Sequence, residues 1–192
     1  KLTIGTDMGT IGFYISEGGM KNNLAHGVGA MGVGMDYSST STFETGYNVN
    51  GYANVQYHTP AGMLPFDAVV KLGYVPDMND SDMISGEGAN AAIGTQATGR
   101  ALEQVNFSAV PVTGLTIKGD AARTTSEQGN GGSNGTEQGV SANLGAQYTS
   151  EAGFSVGYTE GGYQPAVASG EVTYYEGKYY GIQYDFPDNG LS

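Results

Sequence analysis

Two histidines, His26 and His58, and no cysteine are what the 192-residue chain offers for the usual nucleophilic and metal chemistry. Histidine as a general base needs a nucleophile and an orienting group within hydrogen-bond reach, and no motif around either histidine marks one. His58 shares the alternation of Asn54 and Gln56, so it is expected to line a polar wall. Without cysteine, neither a disulfide nor a thiolate metal site can form. Gly27-Val28-Gly29-Ala30-Met31-Gly32 fits the G-x-G-x-x-G spacing. That spacing holds a dinucleotide pyrophosphate only between a strand and a helix, and no such unit surrounds it. The glycines are read instead as a loop that packs closely. Asp77, Asn79, Asp80 and Asp82 bring together oxygen ligands of the kind calcium takes. The glycine and distal glutamate of an EF-hand are out of register, so this calcium candidate yields to a solvated loop of repelling charges. Asn134-Gly135-Thr136 is a formal glycosylation sequon and is read as turn chemistry. No cofactor is expected, and the chain is not expected to be an enzyme.

Charge narrows the partners. Seven Lys and Arg stand against 19 Asp and Glu, a net charge of −12. Binding to phosphate backbones needs clustered cations, so nucleic acid is excluded as a partner. Only 14% of residues are charged, against about 25% in an ordinary soluble domain. Low charge together with 14 Tyr is the wrong composition for disorder.

The elements that must position these residues are strands. Apolar and polar residues alternate with period two from Ile11 to Ser16, Ala53 to His58, Phe66 to Tyr74, Gln104 to Ala109 and Leu115 to Asp120. The same period runs from Val140 to Thr149, Phe154 to Thr159 and Tyr180 to Phe186; with Leu2 to Thr6 this makes nine strands. No stretch has a helical period, and no run of about 18 apolar residues could form a transmembrane helix. The expected connections alternate between short (59–64, 110–114, 149–153) and long (17–49, 76–100, 124–138, 161–177). Short turns at one end and long loops at the other are the habit of antiparallel transmembrane β-barrels. The apolar face mixes Ala, Val, Leu and Phe, with Tyr57, Tyr74, Tyr148 and Tyr158 near strand ends, where an aromatic girdle would lie. The other face is Ser, Thr, Asn, Gln and Gly, which suits a water-filled lumen. Lys71 and Lys118 fall on that polar face, where a barrel must put them, since a lysine facing lipid at mid-membrane costs about 2–4 kcal/mol. Arg123 is expected near the upper rim. The rival fold is a soluble all-β protein with one solvated face.

The order of features resembles the general porin family of the Gram-negative bacterial outer membrane. Leu2 to Tyr14 resembles that family's strand, turn and strand before its inward-folded loop. Val112 to Lys118 resembles a short turn opening a rising strand, and Tyr180 to Phe186 with Pro187 to Gly190 resembles a descending strand and its turn. The resemblance implies an all-β, porin-like barrel of about 16 strands, with residues 1–192 as the middle portion of a single barrel domain. It implies that residues 17–49 form the constriction loop, bringing Glu17, Asp36 and Glu44 to the pore. Lys71, Lys118 and Arg123 would be the lumen-facing basic partners, the two signs making a field across the narrowest point. It further implies a homotrimer among outer-membrane lipid and lipopolysaccharide, passively passing small hydrophilic solutes and ions. The net negative charge favours cations. Two other functions compete with this one: a soluble structural or interaction protein such as a virion or surface-layer domain, and an outer-membrane barrel hydrolase.

Overall fold

The computed structural model describes residues 1–15, 20, 49, 52–76, 101–124, 139–164 and 175–184. Nine strands make up one antiparallel sheet in strict sequence order. They are β1 (Leu2–Thr6), β2 (Gly9–Ile15), β3 (Ala53–His58), β4 (Val69–Val75), β5 (Leu102–Val112), β6 (Leu115–Thr124), β7 (Val140–Thr149), β8 (Phe154–Gln164) and β9 (Tyr175–Tyr184). Each strand pairs with the next, so the connections alternate between the two ends of the sheet. The fold is all-β, and a sheet of this kind is compatible with part of a barrel wall.

Four strand boundaries differ from the sequence reading. Phe66 to Ala68, expected in a strand, instead contain a single 3-10 turn at Pro65–Asp67, and β4 starts at Val69. Pro65 cannot donate to a ladder, and Phe66 and Asp67 take positive φ of 62° and 49°, a conformation foreign to a strand. Strand β8 runs on to Gln164 and β9 begins at Tyr175, shortening the connection expected over 161–177. Gly161, Gly162 and Gly177 hide the alternation there, yet their backbones pair normally. Strand β5 continues to Val112 through Pro111, and the pairing with β6 shifts register between Ala109 and Val112. A proline inside a strand is tolerated at such an irregularity because no ladder bond is asked of it.

The faces are inverted relative to a soluble sheet. Polar side chains are buried: Gln56 and Asn106 are each 1% exposed, and Asn54, Gln104, Ser141 and Asn143 are buried beside them. Apolar side chains are exposed: Leu72 and Leu144 are each 48% exposed, and Phe13, Val105, Phe107 and Phe154 share their face. Successive side chains of a strand point to opposite sides, and on β3, β5, β6 and β7 the buried side carries Asn54, Gln56, Gln104, Asn106, Asp120, Ser141 and Asn143, with Val75 of β4 and Leu102 of β5 buried on that side too.

Charges on the apolar face keep to its edge, and that edge is oblique. Glu103 on β5 and Arg123 on β6 are register partners, with Nε donating to Oε2 at 2.7 Å. Glu160 on β8 and Lys178 on β9 are also partners, 3.9 Å apart. Following the ladder from Arg123 through Val140 leads to Gln164, not to Glu160. The charged border therefore drops four residues, about 13 Å, over three strand spacings, about 14 Å, a slope of about 43°. The aromatic border at the opposite edge slopes the same way. Tyr57 on β3 lies in the row of Leu72, Val105, Ala121 and Ala142, whereas Tyr148 on β7 lies six residues beyond Ala142. That is about 20 Å along the strands over four spacings, about 19 Å.

Candidate functional site

One register row crosses five strands of the buried polar face: His58, Lys71, Asn106, Asp120 and Asn143. The residues arrive there because each occupies the polar parity of its own strand. Asn143 donates from Nδ2 to both carboxylate oxygens of Asp120, at 3.2 Å each. Asp120 is 4% exposed, and a carboxylate that deep needs such donors. Lys118 stands on the same face two residues before it, and Lys71 lies two strand spacings away, about 10 Å. The described part of this wall thus sets two lysines around one aspartate. Sequence reasoning gave Asp120 its parity but no role; the pairing of Asn143 across β6 and β7 carries the signal that was missed.

A second chain of bonds runs down β3. Val49 donates its backbone N–H to Gln104 Oε1 at 2.9 Å. Asn54 Nδ2 donates to the carbonyls of Val49 at 3.1 Å and Tyr52 at 2.8 Å. Gln56 Nε2 donates to Asn54 Oδ1 at 2.7 Å. His58 Nε2 lies 2.8 Å from Gln56 Oε1; an amide oxygen only accepts, so the ring donates. Among the described residues the hydrogen-bond partner of His58 is an amide, not a hydroxyl or carboxylate. Where the polar face meets the long-connection end, Met20 and Val49 are fully buried in a small apolar cluster with Val75, Leu102 and Ala122. They fill the space over Gly73, whose missing Cβ would sit 2.7 Å from Met20 Sδ and 2.8 Å from Val49 Cγ2.

Arg123 corrects the expectation that grouped it with the two lysines. It sits an odd number of residues from Lys118 and Asp120, so it stands on the apolar face, exposed and paired with Glu103. Glu17, Asp36 and Glu44, the remainder of the 17–49 segment apart from Met20 and Val49, and the calcium candidates Asp77, Asp80 and Asp82 lie outside the described residues, as do His26 and the 27–32 glycine motif. The expected lipid-side residues Val70, Leu72, Val105, Phe107, Leu144 and Phe154 take one parity, and Asn54, Lys71, Gln104, Lys118, Asn143 and Gln147 take the other. Chemically the polar wall is a set of amides, hydroxyls and a few charges, whose buried members hydrogen-bond to one another and to backbone. Comparison with protein-family models, with curated proteins and with solved structures gives no match for the chain.

Proposed function

We propose that this sheet is part of the wall of a transmembrane β-barrel, and that the protein is a porin of the bacterial outer membrane. It passes small hydrophilic solutes and ions passively and assembles as a homotrimer. The observation that carries this reading is the inverted polarity of the sheet. A soluble sheet buries Leu and Phe and wets Asn and Gln; this one does the reverse in strand after strand. The slanting borders support it independently. Strands of a membrane barrel tilt by about 35–45°, so the plane of the lipid interface should cut the ladder rows at that angle, as the charged and aromatic borders do. The burial of Met20 and Val49 against the polar face puts two side chains from between β2 and β3 on the side this reading makes the lumen.

Ion selectivity is set at the wall by the charges that face the lumen. The experiment is the reversal potential of the full-length protein across a planar bilayer in a salt gradient. Asp120→Asn is expected to reduce cation preference, and Lys71→Gln with Lys118→Gln to increase it. Both effects should be larger at low salt, where the screening length exceeds about 10 Å. A protein that forms no conducting steps, or that remains in solution without detergent, overturns the reading.

A further inference from the structure

We propose that Lys118, Thr159 and Asn143 form a station on the polar wall for a small, singly charged oxyanion that keeps one O–H, the class of dihydrogen phosphate and bicarbonate. The proposal rests on the pore reading above and names a solute class for it. One register row of the polar face runs from Lys118 on β6 through Gly145 on β7 to Thr159 on β8. Gly145 has no side chain, so the row has a gap with a cation on one side and a hydroxyl on the other. The two outer backbones stand two strand spacings apart, about 10 Å, a distance that a lysine stem, a small anion and a threonine hydroxyl fill together. Thr159 is 1% exposed, and its Oγ1 meets no hydrogen-bond partner among the described residues. Buried polar groups are nearly always paired, and leaving one unpaired is costly. The hydroxyl therefore points to a group that the chain itself does not supply. Rotation about χ1 moves it between staggered positions, and Gly145 contributes no side chain to stop it.

The groups around the gap fit that class. Asp120 stands two residues beyond Lys118 on the same face, yet its two carboxylate oxygens are held by Asn143 Nδ2, at 3.2 Å each. Among the described residues Lys118 has no hydrogen-bond or ion-pair partner, so its N–H donors are open to a solute. An ionised carboxylate only accepts, so the Asn143 amide turns its nitrogen to Asp120 and its oxygen away. That oxygen occupies the space a Cβ at Gly161 would need. Gly161 follows Thr159 by two residues on β8, so the oxygen lies on the Thr159 side of the gap. Two donors, an ammonium and a hydroxyl, thus stand around Gly145 with one amide acceptor. Acetate would use the donors but set one acceptor against another at Asn143 Oδ1. An oxyanion with an O–H of its own matches all three groups. The nearby Asp120 carboxylate disfavours a second negative charge on the solute.

The test uses the full-length protein in a planar bilayer carrying a chloride current, with phosphate, bicarbonate, acetate or sulfate added in turn at constant ionic strength and neutral pH. Phosphate and bicarbonate are expected to reduce the current with saturation, and acetate and sulfate to show no saturation. Lys118→Gln and Thr159→Val should each raise the half-saturating phosphate concentration about tenfold, the effect of one hydrogen bond to a charged group. Thr159→Ser, which keeps the hydroxyl, should hold the wild-type value. Thr159→Val deletes a hydroxyl that bonds to nothing among the described residues, so its folded gel band should convert at no lower temperature, and weaker binding is then not a folding defect. Equal saturation by acetate, or saturation that survives both substitutions, overturns the station. Broadening of the phosphorus NMR line of inorganic phosphate by the detergent-solubilised protein, removed by Lys118→Gln, reads the same site without a current. If chloride conducts while phosphate neither saturates nor broadens, the station is wrong and the pore stands. If nothing conducts, the pore reading falls, and the NMR line alone decides the site.

Discussion

Gly73 shows how much one missing side chain decides on the polar face. Its φ is ordinary, so the requirement is space: Met20 and Val49 occupy the volume a Cβ would need. Gly5, on β1, has nothing within 4 Å of the same imaginary atom. Gly73→Leu should therefore expel the two side chains and destabilise the protein by about 1–3 kcal/mol, the usual effect of overpacking. Gly5→Ala should be near neutral. The measurement is the temperature at which the folded gel band converts to the unfolded one, and equal shifts for the two variants would disprove the packing argument. At this scale the sequence was legible only where parity alone decides. Lys71 and Lys118 could be assigned to the polar face by counting. Arg123 could have been, too: it is one residue past Ala122, on the opposite parity to Lys118. Grouping it by charge rather than by position led to the error. The contacts of Met20 and Val49 with Gly73 were not legible, because they join residues more than 20 positions apart and no alternation announces them.

Strands were the most legible elements and their ends the least. Period two is plainest in β7, where Val140, Ala142, Leu144, Ala146 and Tyr148 take turns with Ser141, Asn143, Gly145, Gln147 and Thr149. Where glycine replaces the side chains, as at Gly161 and Gly162, the pattern fades although the ladder continues. Where proline intervenes, as at Pro65, apparent alternation continues although the ladder has not begun. The β5–β6 hairpin shows what holds an end in place. Thr113 and Gly114 form its two-residue connection, with Gly114 at φ +82°. Thr149 donates its N–H to the Gly114 carbonyl at 2.8 Å, tying the turn to the end of β7. A Cβ at position 114 would collide with the Thr149 carbonyl oxygen. Gly114→Ala combines that clash with an unfavourable left-handed backbone, and is expected to destabilise by more than about 1 kcal/mol. Gly62 serves as the control, since it also has positive φ, +75°, but open space around it. Its alanine variant should lose only the backbone part. Chemical unfolding of both variants checks this, and a Gly114→Ala protein no less stable than Gly62→Ala would remove the hairpin's contact with β7 from the argument.

For the whole molecule the slanted borders make a prediction that sheet pairing alone does not. If the membrane plane runs along the charged border, residues of equal depth are not those joined by register. Phe107 on β5 and Leu144 on β7 share one row of the apolar face through Gly119. With a slope of about 43°, Leu144 should sit about 6 Å nearer the charged interface than Phe107. Ala146 on β7 and Val156 on β8 belong to rows closer to the short connections, yet they should lie at nearly the depth of Phe107. These 192 residues contain no cysteine, so single cysteines at 107, 144, 146 and 156, in a full-length protein freed of any other cysteine, can each carry a fluorophore. Depth is then read from quenching by lipids brominated at successive positions along the acyl chain, with the full-length protein in vesicles. Matching depths for 107, 146 and 156, and a shallower 144, are the expected result. Equal depths for 107 and 144 would mean that the strands stand upright, and the borders would no longer report a tilted barrel wall. Absence of quenching at all four positions would place the apolar face away from lipid altogether. Either outcome bears on the same physical point: an exposed apolar face is stable only against something that is not water, and the slope of its edges records how the strands meet that medium.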